Sequence, residues 1–253
     1  VVVTRDEGTD RTLSLALLAR GLRGFALPTI AIRPAADPSP LDAALQGVRP
    51  GDWIVFTSAH GVAAVAARPG WARVRATEGV RFAAVGEATA AKLAAAGAAA
   101  PLTASAPGAR GLAQALDQAG PLRDARVLWP RSDRARRELA EKLQERGARL
   151  SEVVAYRSES VASPRLDEFR RLLAAGEVAA VAFLSPSSAE GLAAALGRAD
   201  LRDLEGRVLV ASIGPTTSAA LRELHAPPRV EAATPSLEAL ADALQAALLG
   251  VRA

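Results

Sequence analysis

Two stretches of this chain, DWIVFTSAHGVAAV (52–65) and VAAVAFLSPSSAEGLAAAL (178–196), follow one pattern. Each is a short apolar run, an abrupt polar turn, then an Ala-rich helical segment. Phe56 and Phe183 stand 127 positions apart, as do Ser58 and Ser185. GVRFAAVGEATAAKL (79–93) matches GRVLVASIGPTTSAAL (206–221), pairing Gly86 with Gly214 and Thr89 with Thr217. SAPGARGLAQAL (105–116) matches ATPSLEALADAL (233–244). The unit that closes the first copy, RVLWPRSDRARRELAEKLQERGA (126–148), resembles the start of the chain, VVVTRDEGTDRTLSLALLARGL (1–22), with Arg131 against Arg5. The repeat is therefore permuted, and a repeat dictates the architecture before any residue is weighed.

Apolar runs alternating with helices imply βαβ units and parallel sheets. The right-handed crossover rule makes each sheet doubly wound. The permutation predicts one discontinuous domain, 1–28 plus 161–253, and one inserted domain, 36–152. LPTIAIRPA (27–35) and LSEVVAYRSES (150–160) read as extended, β-branched and not followed by helix. Segments 29–35 and 153–160 are the expected linker strands, a two-stranded β connection. Pro34, Pro38 and Pro40 mark the exit into the inserted domain.

Composition narrows the chemistry. The 253 residues are 50% hydrophobic, enough for substantial cores. Cysteine is absent, which excludes disulfides, thiolate metal sites and cysteine nucleophiles. His60 and His225 are the only histidines and differ in context, so no His-rich metal site is expected. The net charge of +4 is spread along the chain, which argues against nucleic acid. No run of eighteen apolar residues lacks charge, so no membrane span is expected. Val1-Val2-Val3-Thr4-Arg5 reads as a strand rather than a secretory signal, and the expected compartment is the cytoplasm.

Ligands of open α/β sheets bind beyond the carboxyl ends of the strands. Here those ends carry Thr4-Arg5, Thr57-Ser58-Ala59-His60, Gly86 to Thr89, Pro130-Arg131-Ser132, Ser185 to Ser188 and Gly214 to Thr217. Any one hydroxyl reads first as a helix N-cap. As a set they form an anion-receptive surface of helix starts ringed by hydroxyls, and two facing copies would line a cleft. Gly86 to Lys92 has the span of a phosphate loop but lacks the glycine before lysine. No G-x-G-x-x-G or G-x-S-x-G occurs. Asp133, Glu138 and Glu141 read as the solvated face of a charged helix, and Trp129-Pro130 as core packing. Tyr156, the only tyrosine, lies in a linker strand. It reads equally as a weak acid facing a ligand and as a packing residue.

VVVTR, IVFTSAHGV, AAVGEATAAKL, VVAYRS, FLSPSSAEGL and ASIGPTTSAAL together resemble the uroporphyrinogen-III synthase (HemD) family, over essentially the whole chain. GPTTSAAL with AYRS is the most specific part, and the composition resembles that of a thermophilic bacterial member. The resemblance implies two HemD-like, flavodoxin-like domains on a two-stranded linker. It implies a cyclising lyase without metal or organic cofactor. The substrate would be hydroxymethylbilane, a linear tetrapyrrole polycarboxylate, and the protein a monomer supplied by hydroxymethylbilane synthase. Tyr156 is then the expected proton donor. The expected substrate-binding residues are Arg5, Thr57, Ser58, His60, Gly61, Gly86, Thr89, Arg131, Ser185, Ser187, Ser188, Gly214, Thr216 and Thr217. Glu87, Pro186 and Pro215 depart from an anion-receptive pattern, and Glu87 is expected to point away. The rival readings are a two-lobed small-anion binding or sensor module without catalysis, and a sugar-phosphate or nucleotide enzyme of Rossmann type. The absent phosphate loop argues against the latter.

Overall fold

A computed structural model describes residues 1–6, 12–106, 108–161 and 163–250. The chain starts with β1 (Val2–Val3), α1 (Thr12–Leu18), β2 (Phe25–Ala26) and β3 (Ile30–Pro34). The middle runs α2 (Ser39–Gln46), β4 (Trp53–Phe56), α3 (Ala59–Ala66), α4 (Trp71–Ala76), β5 (Arg81–Ala84), α5 (Glu87–Ala95), β6 (Leu102–Thr103) and α6 (Gly108–Gln118). It continues through β7 (Arg126–Ser132), α7 (Glu138–Glu145) and β8 (Arg149–Ser160). The remainder is α8 (Leu166–Ala174), β9 (Ala180–Phe183), α9 (Pro186–Ala195), β10 (Leu209–Ser212), α10 (Pro215–Glu223), β11 (Val230–Glu231) and α11 (Leu237–Leu249).

The chain divides into two compact units, Val1–Ala31 with Glu159–Ala253, and Ile32–Ser158. The discontinuous unit has a five-stranded sheet, β11-β10-β9-β1-β2, in which the neighbouring strands are parallel. The continuous unit has a six-stranded sheet, β3-β8-β7-β4-β5-β6, parallel from β8 to β6. Counting β1 and β7 as first strands of their units, both sheets follow the order 2-1-3-4-5, with β3 added at the edge of the larger one beside β8. That is the flavodoxin-like order, whose topological switch point lies between strands 1 and 3. Here the switch points are β1/β9 and β7/β4. The permuted repeat is thus a repeat of topology.

Why these runs become central strands is plain from burial. All four residues of β4 and of β9 are buried. Along β4, Ile54 and Phe56 enter one core while Trp53 and Val55 enter the other. Along β9, Val181 and Phe183 divide from Ala180 and Ala182 in the same way. A parallel strand covered by helices on both faces needs this unbroken apolar run.

Two expectations change. Both extended segments lead into helices after all. Pro40 lies in the first turn of α2, where its missing N–H costs nothing, and α8 buries Leu166 and Phe169. Asp133 does not share a helix with Glu138 and Glu141. It occupies the turn after β7, and α7 starts only at Glu138. Among the described residues no helix is long and apolar enough to cross a membrane.

Candidate active site

In the continuous unit the switch point brings together the ends of β4, β7 and β8. Ser58 follows β4 with extended backbone (φ −158°, ψ 152°) and caps α3, its Oγ accepting from the Gly61 N–H at 3.0 Å. The same Oγ lies 2.8 Å from the Tyr156 hydroxyl. Tyr156 is only 8% exposed and belongs to the core beneath the loop. Burial pushes its phenol above the ordinary value of 10.0, the Ser58 hydrogen bond draws it part of the way back, and the charge of Asp133 adds to the rise. The result is a neutral phenol at physiological pH, hydrogen-bonded to Ser58. The ring packs in the core, and the hydroxyl lies at the strand ends against Ser58.

The other residues expected in this unit divide. His60 is exposed in the first turn of α3, its ring centroid 6.0 Å from that of Tyr156. A Cβ on Gly61 would stand 3.4 Å from the Pro130 carbonyl oxygen, so glycine lets α3 start close against β7. Thr57 accepts from Trp129 Nε1 at 3.3 Å, which gives the buried indole its partner. Arg131 is turned aside. Its Nε lies 2.9 Å from Glu152 Oε2, off the N–H axis and so as an ion pair, and its Nη1 donates to the Ser132 carbonyl. Gly86 starts α5 with no side-chain cap and open space around its α-carbon. Thr89 is buried one turn in, and Glu87 is exposed.

The discontinuous unit repeats this construction. Ser185 caps α9 with the same backbone (φ −160°, ψ 158°) in a reciprocal box with Ser188. The Ser188 N–H donates to Ser185 Oγ at 3.1 Å, and Ser188 Oγ lies 2.7 Å from the Ser185 carbonyl. Ser187 Oγ is 3.1 Å from Ser185 Oγ. These serines therefore do the capping that a single hydroxyl suggests. Gly214, like Gly86, starts its helix without a side-chain cap. Thr217 is buried and Thr216 exposed. Arg5, at the end of β1, is half-buried and its Nε donates to the Asp6 carbonyl. Each unit thus carries one serine-capped helix start and, after the next strand, one glycine-started helix without a side-chain cap, the Gly214 start having Pro215, which lacks an N–H, as its first residue.

Sequence reasoning missed Asp133. Its Oδ1 accepts from Ser132 Oγ, the Arg134 N–H and the Ser158 N–H, each at 3.0 Å, just beyond Tyr156. The visible signal was the Ser-Asp pair ending an apolar run, which is a turn signature rather than a helical one. Among the described residues no group of three or more His, Asp or Glu is placed to hold a metal ion.

Two flavodoxin-ordered α/β units, each with a serine-capped helix start at its switch point and one with a buried phenol there, define a two-unit α/β protein of parallel sheets. Residues 11–242 match the family model described as uroporphyrinogen-III synthase HemD. The chain is 31% identical over 255 residues to the uroporphyrinogen-III synthase of Synechococcus elongatus, covering 97% of this chain and 94% of that protein. The chain belongs to the uroporphyrinogen-III synthase family, whose members are cyclising hydro-lyases of tetrapyrrole biosynthesis. The fold agrees with solved structures. A mutant uroporphyrinogen III synthase from the extreme thermophile Thermus thermophilus matches with a TM-score of 0.66 at 22% identity, over 99% of this chain and 98% of that one. Uroporphyrinogen-III synthetase from Helicobacter pylori matches with a TM-score of 0.60 at 19% identity, over 99% of this chain and 98% of that one.

Proposed function

We propose that this chain closes hydroxymethylbilane to uroporphyrinogen III with inversion of ring D, and that Tyr156 gives the proton on which the terminal hydroxyl leaves as water. The observation that carries the role of Tyr156 is the 2.8 Å contact between its hydroxyl and Ser58 at a switch point, with burial keeping the phenol protonated. Loss of water leaves an azafulvene cation on ring A. The substituted carbon of ring D attacks it, a spiro intermediate forms and fragments, and the ring recloses with ring D inverted. The proton released on closure returns to the phenolate, so the net change is loss of one water. The protein's larger task is holding the cation in the geometry that favours attack by the substituted carbon.

The carboxylates of the substrate meet many small groups rather than a few clamps. In this reading the uncapped starts at Gly86 and Gly214, with Thr89, Thr216 and Thr217, take carboxylates through backbone N–H groups. Thr57, Ser58, His60, Gly61, Ser185, Ser187 and Ser188 shape the loops around them. Arg5 is the more available of the two strand-end arginines, because Arg131 is engaged with Glu152. The protein acts as a cytoplasmic monomer fed by hydroxymethylbilane synthase; light scattering at 26.0 kDa checks the monomer.

Freshly generated hydroxymethylbilane, added to the pure protein without any cofactor, tests the reading. The expected product on chromatography is mainly the type III isomer. Type I alone, at the spontaneous rate, overturns it.

Ser58→Ala removes a cap and the partner of Tyr156 together. The expected cost is about 1 kcal/mol of stability, with kcat lowered several-fold and not abolished. Because the Ser58 hydrogen bond lowers the phenol pKa, that pKa rises further in the variant. Complete loss of activity in a folded Ser58→Ala or Thr217→Ala protein would show that the work is concentrated rather than distributed.

A further inference from the structure

Strand β8 does not pair evenly with β7. Arg131 stands opposite Val154, but Ser132 stands opposite Tyr156, so Ala155 is an extra residue at a bulge. In a regular strand Ala155 and Tyr156 would point to opposite faces. Here both are buried in the same core. A one-residue slip normally exchanges the faces of every following side chain, so the bulge decides where the phenol goes.

Asp133 is the residue that holds this bulge. Its N–H donates to the Tyr156 carbonyl at 3.2 Å. Its carboxylate accepts the N–H of Ser158, two residues further along β8, and is itself fixed by Ser132 Oγ and the Arg134 N–H. One short side chain thus grips β8 just past the residue that carries the phenol, while the backbone of the same residue holds that residue itself.

We propose that Asp133 is a positioning residue for the reaction, a clamp on the β8 bulge that aims the Tyr156 hydroxyl at Ser58 and the departing hydroxyl. The proposal rests on the reading of Tyr156 as proton donor. Desolvation raises the Asp133 pKa, but the hydrogen bonds from Ser158, Ser132 and Arg134, with the charge of Arg134, outweigh it and leave the carboxyl below its ordinary value of 3.8. The clamp is therefore charged at working pH. The acceptor site, rather than the charge, is what the geometry requires.

Two near-isosteric changes separate these. Asp133→Asn keeps an acceptor at the same place without charge; Asp133→Glu keeps the charge and moves it by one methylene. The expected order is Asp133→Asn within a few-fold of the parent kcat, and Asp133→Glu and Asp133→Ala lower by about tenfold or more at near-constant KM, since a displacement of about 1 Å can cost ~10²-fold. In a Tyr156→Phe background Asp133→Glu has no further effect on kcat. Tyr156 is the only tyrosine, so the alkaline absorbance of phenolate reports this one group. Its midpoint is expected to fall toward 10 in Asp133→Ala, as the phenol loses its buried setting and the nearby charge.

An active Asp133→Glu beside an inactive Asp133→Asn overturns the proposal, because charge would then be what matters. Equal losses from Asp133→Glu with and without the phenol also overturn it, since the residue would act on the fold and not through Tyr156. Full activity in Tyr156→Phe alone removes the proton-donor reading and the proposal with it, and that single variant tells the two failures apart. Asp133→Glu and Asp133→Asn carry the test even if Asp133→Ala does not fold.

Discussion

Tyr156→Phe is expected to lower kcat by up to about 10²-fold while KM stays within about twofold. General-acid help is worth roughly 10²–10⁴-fold. The lower end applies here, because a hydroxyl on a carbon next to an electron-rich pyrrole departs with less assistance than most. KM holds because the phenol meets only the departing hydroxyl, and an interaction made mainly in the transition state changes kcat and not ground-state binding. The ring stays, so the core around Ile54, Phe56, Val62 and Ala155 is unchanged. Steady-state rates on fresh hydroxymethylbilane decide it, and an unchanged kcat sinks the role given to Tyr156. The pH behaviour carries a sign. Burial raises the phenol pKa above 10.0, so as far as this group is concerned kcat stays level from neutrality to about pH 10 and falls above it. Stability follows the same group. The folded pKa exceeds the unfolded one, so the contribution is complete below pH 10 and is lost as pH rises through the folded value.

Gly191→Val is expected to cost the discontinuous unit about 3 kcal/mol, the upper part of the usual overpacking range. Gly191 lies inside α9, where glycine is otherwise a poor choice. A Cβ there would stand 2.5 Å from the Thr29 carbonyl oxygen and 3.0 Å from both Thr29 C and Ile30 Cγ2. Two of these are backbone atoms and cannot swing away. Thr29 is fixed in turn, its Oγ1 lying 2.9 Å from the Ser188 carbonyl and 3.2 Å from that of Thr4. The helix must therefore lift off, and it carries the Ser185–Ser188 loop with it. Gly191→Ala meets the same contact but recovers about 1 kcal/mol of helix propensity, so its loss is smaller. At roughly 2–4 °C per kcal/mol for a chain of this size, Gly191→Val lowers the melting temperature by about 6–12 °C in scanning calorimetry. An unshifted transition would mean that α9 does not rest on Thr29.

The repeat carried most of the fold. Phe56 with Phe183 and Gly86 with Gly214 align because each pair does one job at one strand end or helix start, and a job that depends on backbone geometry leaves the same residue type behind. The helix-start serines were legible for the same reason. Pairwise engagements were not. That Arg131 turns to Glu152, 21 residues along the chain, depends on β7 and β8 lying side by side, which no local pattern records. The Asp133 clamp escaped because a carboxylate in an arginine-rich stretch reads as a solvated helix face, and the turn that takes it off the helix is only a few residues long. The bulge at Ala155 depends on register, a property of two strands together.

The sheet order also sets a timetable for synthesis on the ribosome. Strands β1 and β2 are two residues each, too short to persist as a pair. Beyond each other, their sheet partner among the described residues is β9, which β1 meets at Val181 and Ala182. Before β9 comes the whole of Ile32–Ser158, 127 residues of continuous chain with a sheet and cores of their own. At about 5–20 residues per second, that interval alone is roughly 6–25 s. During it Leu13, Leu17 and Leu27, all destined for full burial, still lack the β9 side of their core. Residues 1–31 therefore wait for β9 before their apolar side chains can be buried in the discontinuous unit.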